Sequence, residues 1–525
     1  MESQSSLMQV GGVRKQFYFL FAAATLAFLY LRTFTLGGTP LIVSLDETLY
    51  FEHGIRILHG QVPFRDYFTY VMPGSDLLYA AVFGLLDVHA WLAQLFVIFL
   101  GATTAGVLVW ISSRILQGPL LFLPALLFLV LDFDITKDAT HHWWCTLLVL
   151  AAVGILQGGK TLGRVAFAGI LCGLGALFTQ SQGLLSLIAF AAYLICTRDR
   201  KSRIGQQLTA LILPFAIIVG SVLAYYTYRA GFAALYFALV TFVIHNFPAR
   251  TFHRPGVYFM NFPPHHGLMD VSRLIPYFFV HILVPFGYLW CLFRLFRERS
   301  TIDPQTRDTM LLINFVGLAL FAAVAQAPSY NRMCMVAPPA AIVCAWLVRG
   351  MSSTDRIIQR TLWAIGLIFL VALPFQLQRH WRGYLDLPTG RTAFFDRTEF
   401  EQFQWFAQHT HAGESFVGVP LYTFALSLDD PTTVDYLTDT EYTTADQVAA
   451  AILGVEAHRT PMIALFSFEP DKQRYDSHPG HSNMAPLLAY IRANYHLTKV
   501  FPNVEVWEQN SNSPGSITPT AGPAR

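Results

Sequence analysis

Two adjacent carboxylates, Asp46 and Glu47, stand just beyond the first apolar run and open a stretch dense in turn residues, SLDETLYFEHGIRILHGQVPFRDYFTYVMPG. A carboxylate held at a lipid–water boundary can take the proton of an attacking hydroxyl or amine, or hold a divalent cation. Adjacent residues do not share a helical face, so the pair reads as one group pointing into a site and one supporting it. A second group of ionisable side chains follows in LDFDITKDATHHWW, which sets Asp132, Asp134, Lys137, Asp138, His141 and His142 between two apolar runs. Charged groups this near hydrocarbon cost roughly 2.5–3.5 kcal/mol each at full depth on insertion scales. They read either as interfacial anchors or as a second acidic site, with Lys137 a cation beside it. His141 and His142 are neighbours and cannot both face one metal from a helix, which argues against zinc. A third stretch, HNFPARTFHRPGVYFMNFPPHHG, is aromatic, basic and proline-rich. It suits stacking of its rings on a ligand, and equally an amphipathic cap on the membrane surface.

The elements that carry these residues are apolar helices. Of 525 residues 54% are hydrophobic and only 13% charged, about half the roughly 25% of soluble domains. This is the composition of a polytopic α-helical membrane protein. A net charge of +2 gives no electrostatic basis for binding nucleic acid. The six cysteines lie in apolar stretches without paired short spacing and read as small buried hydrophobes. The first apolar run, after Arg14-Lys15, is long enough to span, and no small-residue cleavage site follows it. Further spans are expected at 91–113, 119–133, 141–158, 165–179, 183–197, 207–228, 274–293, 309–327, 333–348 and 361–378, about eleven in all. Leu77 to Leu86 is apolar but short and suits an interfacial helix.

Charge orients the layout. Lys160 and Arg164 precede the two short spans 165–179 and 183–197, and Arg198, Arg200, Lys201 and Arg203 follow them. The positive-inside rule puts both clusters in the cytoplasm, so this pair is a hairpin with Gln180-Ser181-Gln182 at its outer tip. The same rule makes the N-terminus cytoplasmic. With an odd number of spans, Asp46-Glu47 and everything after about 379 are extracytoplasmic. Residues 1–380 thus form a transmembrane domain whose first outer loop is 37–90.

From 383 to 508 the chain reads as a soluble α/β domain. Thr398 to Glu401 has the pattern of a capping box before the helix FEQFQWFAQHT, and Thr444 to Gln447 repeats it before DQVAAAILGVEAHR. Glu414 to Pro420 and Pro461 to Phe468 read as strands, with a helix near 485–495 and two short strands around Pro502-Asn503. Residues 509–525 have the composition of a disordered tail. Gly173-Leu174-Gly175 is no nucleotide loop, since neither strand nor soluble helix flanks it. Gly169 and Gly173 form a small-xxx-small pair for helix packing. No serine or cysteine nucleophile stands in a triad-like set.

The run Asp46-Glu47, Tyr50, Gly60, Pro63, Asp66 and Pro73-Gly74 resembles the first extracytoplasmic loop of the GT-C membrane glycosyltransferases. These are polyprenyl-phosphate-sugar-dependent enzymes such as protein mannosyltransferases and lipid A aminoarabinose transferases. GILCGLGALFTQSQG (169–183) resembles that family's glycine-rich helix and outer turn, and SYNRMCMVAPP (329–339) a late outer-loop motif. The resemblance covers nearly the whole chain. It implies inverting transfer of a sugar from a polyprenyl-phosphate donor to a glycan, lipid or protein acceptor at an inner (plasma) membrane of bacterial type. By match, Asp46 is the general base, assisted by Glu47. Arg65, Lys137 and Arg332 are the candidate phosphate ligands, and Asp134, Asp138 and His141 the candidate second acidic or acceptor site. A divalent cation, Mg²⁺ or Mn²⁺, is the one cofactor left open. The motif departs from the family at Arg332, where Met333, Cys334 and Met335 replace the acidic residue and histidine that usually follow. The alternative function is a transporter or flippase of a lipid-linked saccharide, whose signature would be ionisable groups near mid-span and an internal repeat.

Overall fold

A computed structural model describes residues 15–43, 45–198, 203–260, 262, 268–350, 352–438, 440–466 and 482–510. Every backbone N–H and C=O inside a bilayer has to be satisfied within its own segment, so long apolar runs become helices. Each expected span falls on one. Helix α1 is Lys15–Thr33; the others include Ala90–Ser112, Ile204–Ala230, Arg273–Arg297, Pro304–Ala323 and Ser353–Arg379. Gly118–Phe133, His141–Leu156, Leu162–Phe178, Gln180–Cys196 and Pro338–Leu347 are apolar but only 10–17 residues long. Of these, Gly118–Phe133, His141–Leu156 and Pro338–Leu347 are deeply buried and form the centre of the bundle, where Trp143 and Trp346 are fully enclosed. The bundle identifies a multi-pass membrane protein.

Small residues let the central helices touch. A Cβ at Gly169 would strike the carbonyl oxygen of Leu211, and one at Gly173 would sit 3.2 Å from the Phe215 Cα. The small-xxx-small pair therefore seats Leu162–Phe178 on Ile204–Ala230. The hairpin is tighter than expected: one extended residue, Thr179, separates its helices, and the second helix already begins at Gln180. Of the six cysteines, Cys145, Cys172, Cys291 and Cys334 are buried, but Cys196 is exposed.

The first connecting loop holds two helices, α2 (Leu45–Leu58) and α3 (Gly74–Leu86). The turn-rich pattern around Asp46 hid α2 from the sequence reading. Asp46 and Glu47 occupy its first turn, where the helix dipole favours negative charge. Helix α3 starts where Gly74 meets the Leu177 backbone; a Cβ there would lie 2.6 Å from that carbonyl oxygen. A second difference is Phe232–Ala249, an 18-residue apolar helical stretch between the expected spans 207–228 and 274–293. Leu235 near its start clusters with Phe64, and Phe242 and Phe247 near its end cluster with Phe68 and Tyr70. Both ends thus lie against the loop that carries α2 and α3.

The C-terminal domain sits on this same face. A hairpin of β1 (Gly383–Leu387) and β2 (Gly390–Phe394), absent from the sequence reading, ties it to the chain leaving α1: Ala393 N–H donates to the Pro40 carbonyl, and Ile42 N–H to that of Ala393. A four-stranded sheet follows, with β3 (Phe416–Val417), β4 (Met462–Phe466), β5 (Tyr495–Phe501) and β6 (Val504–Gln509) in the order β3-β4-β6-β5. The β3–β4 pair is parallel and the other two are antiparallel. The expected strand at 414–420 shrinks to two residues because Pro420 starts a helix, Pro420–Leu426. Asp396, not Thr398, caps the helix Arg397–His409 through the Glu399 N–H. At Thr444 both halves of the expected capping box form. The expected tail begins inside β6 at Gln509; residues 511–525 and Arg14 lie outside the described residues.

Candidate active site

Helix α2 positions the site. Asp46, Tyr50 and His53 recur at helical spacing on one face and line a cavity of about 380 Å³ between the helix bundle and the C-terminal domain. His141, the first residue of the helix His141–Leu156, and Arg332, from the short helix Tyr330–Val336, line it from the bundle side. The domain closes it with Asp435, Tyr436 and Tyr442. Asp46 is exposed to this space. Tyr50 Oη and His141 Nδ1 share a hydrogen bond of 2.5 Å, and the His141 ring lies 4.0 Å from that of His142. Arg332 donates to the Ala327 carbonyl at 3.2 Å and lies over the Phe247 ring at 5.4 Å, leaving its fork partly exposed.

Not every residue named from sequence reaches the cavity. Glu47 turns the other way, 1% exposed, and accepts the Ala139 N–H at 2.9 Å. It pins the second loop to α2, so it supports the geometry and does not face the cavity. Asp134 is held bidentate by Arg32, at 2.5 and 2.9 Å, and Lys137 is turned onto the Asp134 carbonyl at 3.4 Å. Burial holds Lys137 below the usual lysine range. This trio locks α1 to the second loop and stands off the cavity lining. Asp138 accepts from the N–H and Oγ1 of Thr140. Burial, with the nearby charge of Asp46 adding to it, raises its pKa to about 7. Arg65 is the clearest correction: it is on the surface, paired with its neighbour Asp66 at 2.8 Å. A pair of adjacent exposed residues satisfies itself locally, and nothing in their spacing revealed this. Arg65→Ala is expected to leave sugar transfer within about twofold of wild type, since exposed pairs contribute little; a large loss would return Arg65 to the site.

Sequence reasoning missed the residues that bind the C-terminal domain to α2. Glu52 and Arg56, one helical turn apart, pair at 3.0 Å, and Arg56 also reaches the Thr432 carbonyl at 3.0 Å and Asp430 at 3.5 Å. Thr423 of the domain donates to Glu52. His53, 1% exposed, stands between Asp76 at 3.2 Å and Asp435 at 3.0 Å. Burial pulls its pKa down, but the two carboxylates more than reverse this and raise it to about 10. The folded value exceeds the unfolded one near 6.5. The stabilisation is therefore complete below about pH 6.5 and is lost as pH rises toward 10. The thermal midpoint of the full chain in detergent is expected to fall between pH 7 and pH 10, and His53→Gln to remove that part of the slope. An unchanged slope in the variant would contradict this account. No local signal marks these partners, which are 382 residues apart. Arg250, which also lines the cavity, did lie in the basic aromatic stretch already noted.

Among the described residues, no three histidine, cysteine, aspartate or glutamate side chains converge as a metal-binding group. Asp138 accepts from Thr140 through one oxygen, and His141 bonds Tyr50 through Nδ1.

No family model and no curated sequence matches the chain. Solved structures do. ArnT from Cupriavidus metallidurans bound to undecaprenyl phosphate superposes with a TM-score of 0.59 at 13% identity, over 97% of this chain and 100% of that one. The apo state of the same protein gives 0.60 at 13% identity, over 94% and 98%. The archaeal oligosaccharyltransferase AglB from Archaeoglobus fulgidus, in complex with an inhibitory peptide and a dolichol-phosphate, gives 0.53 at 13% identity, over 95% and 75%. The chain has the fold of these proteins, carried through the bundle and into the C-terminal domain.

Proposed function

We propose that this protein is a membrane glycosyltransferase that moves a sugar from a polyprenyl-phosphate donor to an extracytoplasmic acceptor. The observation that carries the reading is the pairing, in one cavity, of an exposed carboxylate, Asp46, with the guanidinium of Arg332. Group transfer from a phosphate needs both: a base for the acceptor proton and a cation for the charge that develops on the leaving oxygen. In the proposed step Asp46 takes the proton of the acceptor hydroxyl or amine. The freed electron pair attacks the anomeric carbon, and the bond from that carbon to the phosphate oxygen breaks. The polyprenyl phosphate leaves with the bonding pair, and Arg332 stabilises its charge, with Arg250 beside it. Attack opposite the phosphate inverts the anomeric centre. The chain's own residues account for each of these roles, and no step is routed through a metal ion.

The likeness to ArnT and AglB, solved with lipid phosphates, supports a polyprenyl-phosphate donor. Cytoplasmic placement of Lys160 and Arg164 under the positive-inside rule supports an inner (plasma) membrane protein with its C-terminal domain outside. The alternative, transport of a lipid-linked saccharide, calls for ionisable groups at mid-span. Asp46, Asp134, Asp138 and Asp435 gather at one end of the bundle instead. Incubating the purified chain with a panel of undecaprenyl-phosphate sugars and a cell-envelope extract as the source of acceptor, and following release of undecaprenyl phosphate by mass spectrometry, tests the reading. Release from at least one donor is expected; none released from any would refute it.

A further inference from the structure

We infer that the acceptor is a saccharide, received against a wall of tyrosines on the side of the cavity away from the spans; this rests on the glycosyltransferase reading. The wall is built from two parts of the chain. Tyr70 comes from the loop after α2, and Tyr436 and Tyr442 from the C-terminal domain. Phe242 braces Tyr70 and Tyr442, with ring centroids 5.5 and 5.0 Å away, and Tyr70 and Tyr442 stand nearly perpendicular at 6.3 Å. The Arg250 guanidinium lies over the rings of both Tyr436 and Tyr442, at 5.9 and 5.5 Å.

The wall faces the base. Asp46 is within electrostatic reach of Tyr70 and Tyr436. The Tyr436 hydroxyl is buried and has no hydrogen-bond partner among the described residues, a donor and acceptor for which a ligand would supply the complement. A sugar ring offers apolar C–H faces that stack on aromatic rings and rim hydroxyls that need fixed polar partners. Tyrosines present both surfaces at once. At about 380 Å³ the cavity is within the size range of small-molecule sites. A peptide acceptor would instead ask for a free strand edge. The edge strand beside the cavity, β3, has two residues, and Ser415 just before it is bridged to Asp429. A lipid acceptor would ask for an apolar path into the bilayer, whereas this wall is formed by extramembrane segments.

The probes are methyl glycosides of glucose, mannose, galactose, N-acetylglucosamine and arabinose, offered to the full chain in detergent and read by saturation-transfer NMR. At least one is expected to bind. Its affinity should fall about fivefold or more in Tyr436→Ala, the scale of a lost aromatic contact, and by less in Tyr436→Phe, which keeps the ring and preserves packing. Absence of glycoside binding to wild type, an affinity unmoved by Tyr436→Ala, or saturation of a peptide or a lipid phosphate in place of the glycosides would overturn the inference. Consumption of an undecaprenyl-phosphate sugar is measured on the same wild-type sample. Donor consumed without glycoside bound sinks the saccharide acceptor alone, while no donor consumed sinks the glycosyltransferase reading with it.

Discussion

Replacing Asp46 by asparagine is expected to lower sugar transfer by about 10²–10⁴-fold, the range contributed by a positioned general base. Asparagine keeps the size and can still accept a hydrogen bond, but it cannot take a proton. The loss should come without unfolding. Asp46 is exposed and lines the cavity, and at a first-turn position asparagine gives up only a dipole interaction of about 0.3–1 kcal/mol. The thermal midpoint of the variant should therefore stay close to that of wild type. Glu47→Gln should behave differently: Glu47 is buried on the Ala139 N–H, so its loss should reach activity through the placement of the second loop and lower stability as well. Equal loss of activity in both variants with no loss of stability in either would mean that the two carboxylates act as a chemical pair.

The second large effect is expected at Arg332. Removing one preorganised donor from a site of developing charge costs about 10²–10³-fold in turnover, and Arg332→Met should show a loss of that size. Arg332→Lys should recover part of it, because the ammonium keeps the charge but not the planar fork that grips two phosphate oxygens. Arg332 packs on Phe247 and bonds only one carbonyl, that of Ala327, among the hydrogen bonds described, so the long apolar methionine retains most of its packing. A methionine variant that turns over at the wild-type rate would move the phosphate to another cation, with Arg250 the first to test.

The membrane architecture was legible in the sequence because hydrocarbon leaves the backbone so few choices: each apolar run of sufficient length had to be a helix. The Thr444 capping box was legible for the same reason, since both of its partners lie within four residues. The site was legible only in part. Asp46, His141 and Arg332 come from three separate motifs and meet at one cavity. Arg65, Lys137 and Asp134 look equally suitable by residue type, but each is held elsewhere, by Asp66, the Asp134 carbonyl and Arg32 respectively. Which charged neighbour a side chain chooses is decided by packing between distant elements, and residue spacing carries no trace of it. The His53–Asp435 contact and the Arg56 clasp on the domain were hidden for that reason. So was the helix at Phe232–Ala249, whose composition fits a span and whose contacts with Phe64, Phe68 and Tyr70 tie it to the loop that carries α2 and α3.

The most direct test reconstitutes wild type and Asp46→Asn in vesicles containing a radiolabelled undecaprenyl-phosphate hexose, and follows both label leaving the lipid fraction and label crossing the bilayer. The account predicts that wild type moves label from lipid to a water-soluble or acceptor-linked product with inverted anomeric configuration, and that Asp46→Asn does so at least about a hundredfold more slowly. Label that crosses the bilayer still attached to its lipid, at the same rate with both proteins and with no product formed, would contradict it and establish a transporter instead.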